Sequence, residues 1–308
     1  MKNYKGILYA ILASVAFGVM PIFAKFAYIN GSNSNTVLFF RFSIATLILF
    51  IYLTFKGVSI RVSKKQFILL FITGFLGYTM TTQTLFSSYN YLGVGLATSL
   101  HFIYPAFVCI LEYILLKKRM GKNKLFSLVF AGLGVYALIA FENNTLSTLG
   151  VFLATFSGLS YAIYIILMSI KEVNDIDNIV VTMYVTFGAA TGIFIYSIIN
   201  GSLVTKISMN LTVSYICIAV ISTILSMVLL LKGIELIGAS SASILGTFEP
   251  IVSIIMGIII FKEQLTFSLI MGTIFILIST IILAKDKSGN ETTEEIIEKK
   301  NKDVGFEI

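Results

Sequence analysis

Long apolar stretches separated by short polar segments are the dominant pattern along this chain. A helix needs roughly 20 mostly apolar residues to cross a lipid bilayer. Ten windows fit that requirement: 6–28, 36–55, 67–89, 95–116, 124–141, 148–169, 179–199, 212–232, 240–261 and 267–284. Membrane β-strands alternate apolar and polar residues over about ten positions, and that alternation does not run through the sequence. The pattern therefore predicts an all-α integral membrane protein whose ten transmembrane helices form one bundle.

The composition excludes a soluble protein. Hydrophobic residues make up 57% of the 308 residues and charged residues only 12%, whereas soluble domains carry about 25% charged residues. The first window is too long for a signal peptide and lacks a small-residue cleavage site, so it predicts a retained helix. Residues 285–308 form the one long polar segment, which we interpret as a solvated cytoplasmic tail.

The distribution of basic residues predicts the orientation. Lys and Arg are enriched in cytoplasmic loops of membrane proteins. If the N-terminus is inside, most of the 22 basic residues fall in inner loops and in the tail. We therefore predict that both termini are cytoplasmic and that the protein lies in the plasma membrane, which in bacteria is the inner membrane. The sequence pI of about 9.2 then reflects attraction to anionic lipid and not to nucleic acid.

The sequence contains an internal repeat. Residues 145 positions apart match in the fourth and ninth windows: Gly93 with Gly238, Ala97 with Ala242 and Pro105 with Pro250. We interpret residues 1–145 and 146–284 as two copies of a five-helix unit. Because five is odd, the second copy enters the membrane from the opposite side. Inverted repeats of this kind are typical of secondary transporters that alternate access to a site near the bilayer midplane.

Three segments carry a resemblance to a known family: "SILGTFEPIVSIIMGIIIFKEQLT", "LHFIYPAFVCILEYILL" and "LFFRFSIATLILF". Together they resemble the EamA-like branch of the drug/metabolite transporter superfamily, over residues 6–284. Lys118 departs from the acidic residue usual after the fourth helix. The resemblance implies ten helices in two inverted halves, with a central cavity between helices 1, 3, 4, 6, 8 and 9.

Two prolines lie inside apolar windows and predict hinges. A proline has no N–H and leaves the carbonyl four residues earlier without its helical partner. These carbonyls belong to His101 for Pro105 and to Gly246 for Pro250. Freed backbone groups at membrane depth are tolerated where they face protein or a water-filled cavity. We expect Pro105 and Pro250 to lie beside the substrate region, with a packing kink that binds no ligand as the alternative.

Glu249 and His101 are the candidate coupling residues. A carboxylate near the bilayer centre costs at least a few kcal/mol, so Glu249 should be protonated, paired or exposed to a cavity. His101 is the single histidine, and histidine titrates near neutral pH. For both residues a hydrogen-bonded structural role remains the alternative.

Other residues complete the predicted site and its surroundings. The predicted substrate-binding set is Phe17, Thr81, Gln83, His101, Tyr104, Tyr161, Ser226 and Glu249. Lys25 and Arg41 are expected to extend to the lipid headgroups, or alternatively to pair with a carboxylate or attract an anionic group. Gly188 and Gly192 form a GxxxG pair that predicts close helix packing or a homodimer contact.

These observations favour one function over its alternatives. The sequence has no GxxxxGK[ST] phosphate loop, and one histidine provides neither a nucleophile–base pair nor a metal cluster. We therefore predict no enzyme activity, no cofactor and no metal. The leading hypothesis is a secondary transporter of a small metabolite, an amino acid or a related compound, with proton exchange as candidate coupling. Export follows from the family resemblance; uptake, or a receptor or scaffold that binds without transport, remains the alternative.

Overall fold

The structure, a computed structural model, describes residues 2–115, 121–140, 147–204, 208–246, 248–262 and 264–284, and its regular secondary structure in these ranges is entirely helical. Lys118 and the predicted tail, residues 285–308, lie outside them. The α-helices are α1 (Lys2–Gly18), α2 (Met20–Ile29), α3 (Ser34–Lys56), α4 (Lys64–Ile72), α5 (Thr79–Ser88), α6 (Val94–His101), α7 (Tyr104–Leu115), α8 (Lys122–Ala140), α9 (Thr148–Met168), α10 (Lys171–Asn174), α11 (Asn178–Ile199), α12 (Met209–Ala219), α13 (Ser226–Leu245), α14 (Phe248–Phe261) and α15 (Phe267–Ala284). Two π-helical segments, Thr73–Tyr78 and Val220–Leu225, continue α4 into α5 and α12 into α13.

Seven helical stretches within the described residues are long and apolar enough to cross a membrane. They are Tyr4–Ile29, Ser34–Lys56, Lys64–Ser88, Val94–Leu115, Thr148–Met168, Asn178–Ile199 and Met209–Ala239. The other three predicted windows contain shorter apolar helices, Leu125–Ala137, Ile251–Ile260 and Phe267–Ser279. The prediction of a multi-pass α-helical membrane protein is confirmed, whereas the count of ten spans and their orientation stay predictions.

Polar side chains next to the helix termini define where several helices begin and end. Asn33 accepts a hydrogen bond from the Thr36 N–H at the start of α3, and Ser63 forms a capping box with Gln66 at the start of α4. Gly57 has φ +65° and ends α3 in the left-handed conformation that glycine tolerates. These caps place the turns at the ends of the apolar windows, because orphan backbone groups at a helix end need partners.

The long predicted windows are broken where their prolines lie. Pro21 is the second residue of α2, Pro105 the second of α7 and Pro250 the third of α14. A proline is well tolerated in the first turn of a helix, where its missing N–H has no partner in any case. Each proline therefore lies in the first turn after a break in the helix, and the role of Pro105 and Pro250 as hinges stays a prediction. Gly238, with φ +80°, makes a further break within α13.

The main helix contacts follow a symmetric scheme. α1 packs on α13, α5 on α9, α3 on α11 and α8 on α15. In terms of the predicted helices these are pairs 1 with 8, 3 with 6, 2 with 7 and 5 with 10. Exchanging the two predicted halves converts this set of pairs into itself.

Gly188 and Gly192 pack within the chain, as the close-packing interpretation of the GxxxG pair expects. A Cβ atom at Gly188 would lie 2.4 Å from the carbonyl oxygen of Phe71, and one at Gly192 would lie 2.7 Å from that of Phe75. Both positions face the junction of α4 and the first π-helical segment. The absence of a side chain therefore lets the backbone of α11 reach the backbone of α4 and of the first π-helical segment.

Gly188→Ala is expected to lower the thermal unfolding midpoint of the detergent-purified protein, because overpacking a close-packed site costs about 1–3 kcal/mol. Gly132→Ala is the matched control, since no atom of the described chain lies within 4 Å of its Cβ position and alanine is the better helix former. Circular dichroism during heating measures both variants. Equal midpoints would contradict the close backbone approach.

Candidate functional site

A fully buried guanidinium lies at the centre of the bundle. Arg41, on α3, is 0% exposed. Its Nε donates a hydrogen bond to Thr223 Oγ1 (2.6 Å), and its terminal nitrogens donate to Met20 Sδ (2.8 Å), to the Tyr78 hydroxyl (3.2 Å) and to the Ser222 carbonyl (3.2 Å). The expectation that Arg41 extends to the headgroups is therefore wrong. Its side chain is surrounded by polar acceptors inside the protein and has no need to reach the interface.

The partners of Arg41 lie where the central helices are irregular. Met20 follows the break between α1 and α2, Tyr78 ends the first π-helical segment, and Ser222 and Thr223 belong to the second. π-Helical turns inside α-helices occur frequently at functional sites. One side chain therefore connects three irregular elements, two from the first predicted half and one from the second.

Aromatic rings surround the same guanidinium. Its central carbon lies 4.8 Å from the ring centroid of Phe42, 5.8 Å from that of Tyr78 and 5.9 Å from that of Phe86. The face of an aromatic ring attracts a cation, and the attraction is stronger where water is excluded. The rings and the hydrogen bonds together offset part of the cost of burying the Arg41 charge.

Glu249 provides the opposite charge. It is the second residue of α14 and is 5% exposed. Its backbone carbonyl lies against Gly18, where a Cβ atom would be 2.8 Å from the oxygen. Within the described part of the chain, no side chain donates a hydrogen bond to the carboxyl group. Arg41 and Tyr104 lie within electrostatic range of the carboxyl group, but among the described residues it forms neither a side-chain hydrogen bond nor an ion pair.

The backbone at Glu249 corrects one expectation. The carbonyl of Gly246 was expected to be freed by Pro250. It accepts a hydrogen bond of 2.9 Å from the N–H of Glu249 itself. The turn that begins α14 therefore provides a donor for this carbonyl. It can do so because α14 starts at Phe248, two residues before the proline, and is not continuous with α13.

Four tyrosines form a continuous group of rings, the tyrosine cluster: Tyr78, Tyr104, Tyr161 and Tyr164. Ring centroids are 4.9 Å apart for Tyr78 and Tyr164, 5.6 Å for Tyr164 and Tyr161, and 4.8 Å for Tyr161 and Tyr104. The Tyr104 hydroxyl donates to the Ser243 carbonyl at 3.1 Å. Within the described residues, the buried Tyr164 hydroxyl has no hydrogen-bond partner. The cluster therefore presents a second unused polar group in the core.

His101 is held in a structural hydrogen bond. Its Nδ1 lies 2.8 Å from Ser157 Oγ, and the residue is 3% exposed. Its ring also contacts Tyr104 and Tyr161, with centroid distances of 5.6 and 5.4 Å. The carbonyl of His101 lies close to Gly158, where a Cβ atom would be only 2.6 Å away. The hydrogen bond that the sequence left open as an alternative is therefore present, and the histidine packs against the cluster from α6.

The remaining predicted site residues have three different surroundings. Phe17 is buried and precedes Gly18, the residue that lies against the Glu249 carbonyl. Thr81 and Ser226 return their hydroxyls to carbonyls of their own helices, Gly77 at 2.9 Å and Thr223 at 3.2 Å. Gln83 donates to Asn35, which in turn donates to Ser202 at 2.6 Å. The structure therefore places Gln83 in a network with the loop after α11 and not in the tyrosine cluster.

Sequence reasoning gave too little weight to three residues that the structure places in the centre. Arg41 was expected to lie at an interface, and the predicted substrate-binding set contained neither Tyr78 nor Tyr164. Tyr161 and Tyr164 are three positions apart, which puts them on one face of α9, and this spacing was the available signal.

In the described residues no group of three His, Cys, Asp or Glu side chains could hold a metal ion.

Comparison with known families decides the classification. The sequence profile of the EamA-like transporter family matches the chain twice, over residues 4–140 and 148–285. The chain belongs to the EamA-like transporter family. This confirms the resemblance seen in the sequence and identifies the protein as a multi-pass membrane transporter of a small compound.

Relatives of this EamA-like protein carry transporter names. It is 25% identical over 291 residues to the uncharacterized inner membrane transporter YicL of Salmonella typhimurium, with 92% of this chain and 96% of that protein covered. It is 24% identical over 297 residues to the uncharacterized transporter YcbK of Bacillus subtilis, covering 93% and 95%. A solved crystal structure, 11% identical, shares the fold with a TM-score of 0.70 and covers 91% of this chain and 96% of that chain.

A double-mutant cycle between Arg41→Gln and Glu249→Gln is expected to give a favourable coupling energy of about 0.5–3 kcal/mol. Removing one buried charge leaves the other uncompensated, so the double variant should be more stable than the sum of the single effects. Unfolding free energies in detergent measure the cycle.

The exposed pair Lys65 and Glu172 is the matched control for this cycle. Its atoms are 2.9 Å apart, and its side chains are 77% and 45% exposed. Exposed ion pairs contribute about 0.2–1 kcal/mol. Zero coupling between Arg41 and Glu249 would show that the two charges act independently.

Proposed function

We propose that this protein is a secondary transporter that moves a small metabolite, an amino acid or a related compound with an amino group, by alternating access. The observation that carries the proposal is the buried carboxyl group of Glu249, which has no hydrogen-bond donor among the described side chains. A carboxylate inside a membrane protein is costly and is usually functional. It is suited to an ammonium group or to a transported proton.

The tyrosine cluster supplies the other half of the proposed site. Aromatic faces attract cationic groups and also accept an apolar side chain. The hydroxyl of Tyr164 offers a hydrogen bond to a polar group of the substrate. Glu249 and the tyrosine cluster thus suit a molecule that carries both an amino group and an apolar part.

Arg41 has a positioning role in this proposal. Its hydrogen bonds already engage Thr223, Met20, Tyr78 and Ser222. A substrate anion would have to displace one of these acceptors to reach it. We propose that Arg41 holds the two predicted halves together and balances the charge of Glu249. A proton or an ammonium group at Glu249 weakens that electrostatic attraction and so favours movement between the halves.

The proposed movement follows the inverted-repeat arrangement. Its support is the double match of the family profile, the pairing of helices that is unchanged when the halves are exchanged, and a π-helical segment in each half. The breaks at Pro105 and Pro250 provide the hinges. We propose export as the direction because of the family resemblance, with substrate exchanged for protons.

Glu249→Gln is expected to abolish most gradient-driven flux while the protein remains folded, because the amide cannot take up or release a proton. Flux and internal pH are measured in proteoliposomes supplied with amino acids, amines, nucleosides or sugars, with and without a proton gradient. Glu235→Gln is the matched control, since Glu235 is exposed and bonds Asn178 at 2.8 Å. A parallel loss of flux and thermal stability would make Glu249 purely structural. Binding without flux in the wild-type protein would favour a receptor.

Tyr164→Phe is expected to leave the unfolding midpoint unchanged or raised, because it removes a buried hydroxyl without a partner. It should raise the apparent KM for the transported substrate about fivefold, the value of a net hydrogen bond of about 1 kcal/mol. Tyr104→Phe is the comparison, because it loses the bond to Ser243 and should lower the midpoint. An unchanged KM in Tyr164→Phe would remove Tyr164 from the site.

A further inference from the structure

A separate groove lies between α3 and α11, on the outer surface of the bundle. Its volume is about 690 Å³. Its lining includes Phe39, Leu47, Phe50, Tyr184, Phe187 and Phe194. Leu47 is 58% exposed and Phe187 is 43% exposed, so the groove opens outward. Neither Glu249 nor any member of the tyrosine cluster lines this groove.

The polar atoms of the groove wall are mostly satisfied within the protein. The Thr46 hydroxyl donates to the Phe42 carbonyl at 2.8 Å, and the Thr191 hydroxyl donates to the Phe187 carbonyl at 2.9 Å. The Tyr184 hydroxyl donates to the Ile60 carbonyl, also at 2.8 Å. The wall therefore presents carbon atoms and few free hydrogen-bonding groups. Such a surface fits a hydrocarbon chain better than a polar metabolite.

One end of the groove is bordered by exposed positive charge. Ile60 is one of the lining residues of the groove, and Lys56, Arg61 and Lys64, which are close to it in the chain, are exposed. Lys64 is also the first residue of α4, where the helix dipole adds a partial positive charge. The charge pattern of the sequence predicts this side to be cytoplasmic, the side where anionic lipids create a negative surface potential.

The acidic residues near this end are already engaged. Glu172 pairs with Lys65 at 2.9 Å, and the Asp177 side chain accepts the N–H of Ile179 at 2.8 Å. Asp175 and Glu235 line a separate cavity with Lys232. Within the part of the chain that the structure describes, Arg61 and Lys64 form no ion pair, so we take their charges as available to a negatively charged partner at the mouth of the groove.

We propose that the groove between α3 and α11 binds one anionic phospholipid, with an acyl chain along the apolar wall and the phosphate group against Arg61 and Lys64. A hydrocarbon chain matches the satisfied wall, and a phosphate matches the basic rim. A second copy of this chain fits less well. A two-fold symmetric interface would bring the same basic rims together, and like charges repel.

Native mass spectrometry of the full-length protein in detergent tests the proposal. Equal amounts of phosphatidylglycerol and phosphatidylethanolamine with identical acyl chains are added. We expect one retained phosphatidylglycerol per chain in preference to phosphatidylethanolamine. Arg61→Ala and Lys64→Ala should each reduce this preference roughly fivefold, because a basic residue at the membrane surface contributes about that factor to anionic-lipid binding. Lys5→Ala with Lys122→Ala, exposed positions on other helices, is the control for general surface charge.

A groove-filling variant tests the acyl-chain half of the proposal. Thr191→Phe should reduce retention of both lipids, whereas Thr212→Phe on α12 should not, since both threonines return their hydroxyls to their own helices. Equal retention of the two lipids in the wild-type protein would overturn the proposal. So would an equal effect of the control variants, or a change from dimer to monomer in Thr191→Phe, which would assign the groove to a second copy.

Discussion

The positive charge of Arg41 is the constraint on which the centre of this protein depends. A guanidinium excluded from water needs acceptors for its donors and a compensating charge, because burial of an uncompensated ion costs several kcal/mol. The chain supplies a carbonyl, two hydroxyls and a thioether within hydrogen-bonding distance. It also supplies three ring faces. These groups come from helices far apart in sequence, so satisfying Arg41 requires the bundle to be assembled.

The same requirement explains why the irregular parts of the helices converge. In a regular helix each carbonyl already accepts a hydrogen bond from the N–H four residues later. The π-helical segment Val220–Leu225 changes that pattern, and the Ser222 carbonyl within it accepts from Arg41. Irregular backbone at membrane depth is tolerated where it is buried in protein. The π-helical turns and the buried cation therefore depend on each other.

The two charges of the centre break the symmetry of the predicted halves. The counterpart of Arg41, 144 positions later, is Val185, and the counterpart of Glu249, 145 positions earlier, is Tyr104. Each half thus contributes one charge that the other lacks at the matching position, and both charged residues are buried. Arg41 has its hydrogen bonds occupied, whereas the Glu249 carboxyl has no donor among the described side chains. This difference is the basis for our proposal that Arg41 holds the halves together and that Glu249 binds the substrate or a proton.

Much of this arrangement was predictable from the sequence, for a physical reason. The length of an apolar stretch indicates whether the segment lies in lipid or in water, because about 20 apolar residues are needed to cross a bilayer. The membrane class and most of the spans therefore follow from composition and from the spacing of apolar stretches. Glu249, Pro105 and Pro250 stand out because an ionisable group or a missing N–H is costly in an apolar helix. The family follows from motifs around these same residues.

The tertiary structure decided what the side chains face. A window of apolar sequence does not say whether an arginine within it reaches the headgroups or is buried, because the outcome depends on acceptors that other helices bring. Arg41, Tyr78 and Tyr164 therefore gained their importance only in the assembled bundle. The same holds for Gly246, whose carbonyl was satisfied because a new helix begins at Phe248. Sequence determined which groups are costly in a membrane, and only the tertiary structure determined which partners satisfy them.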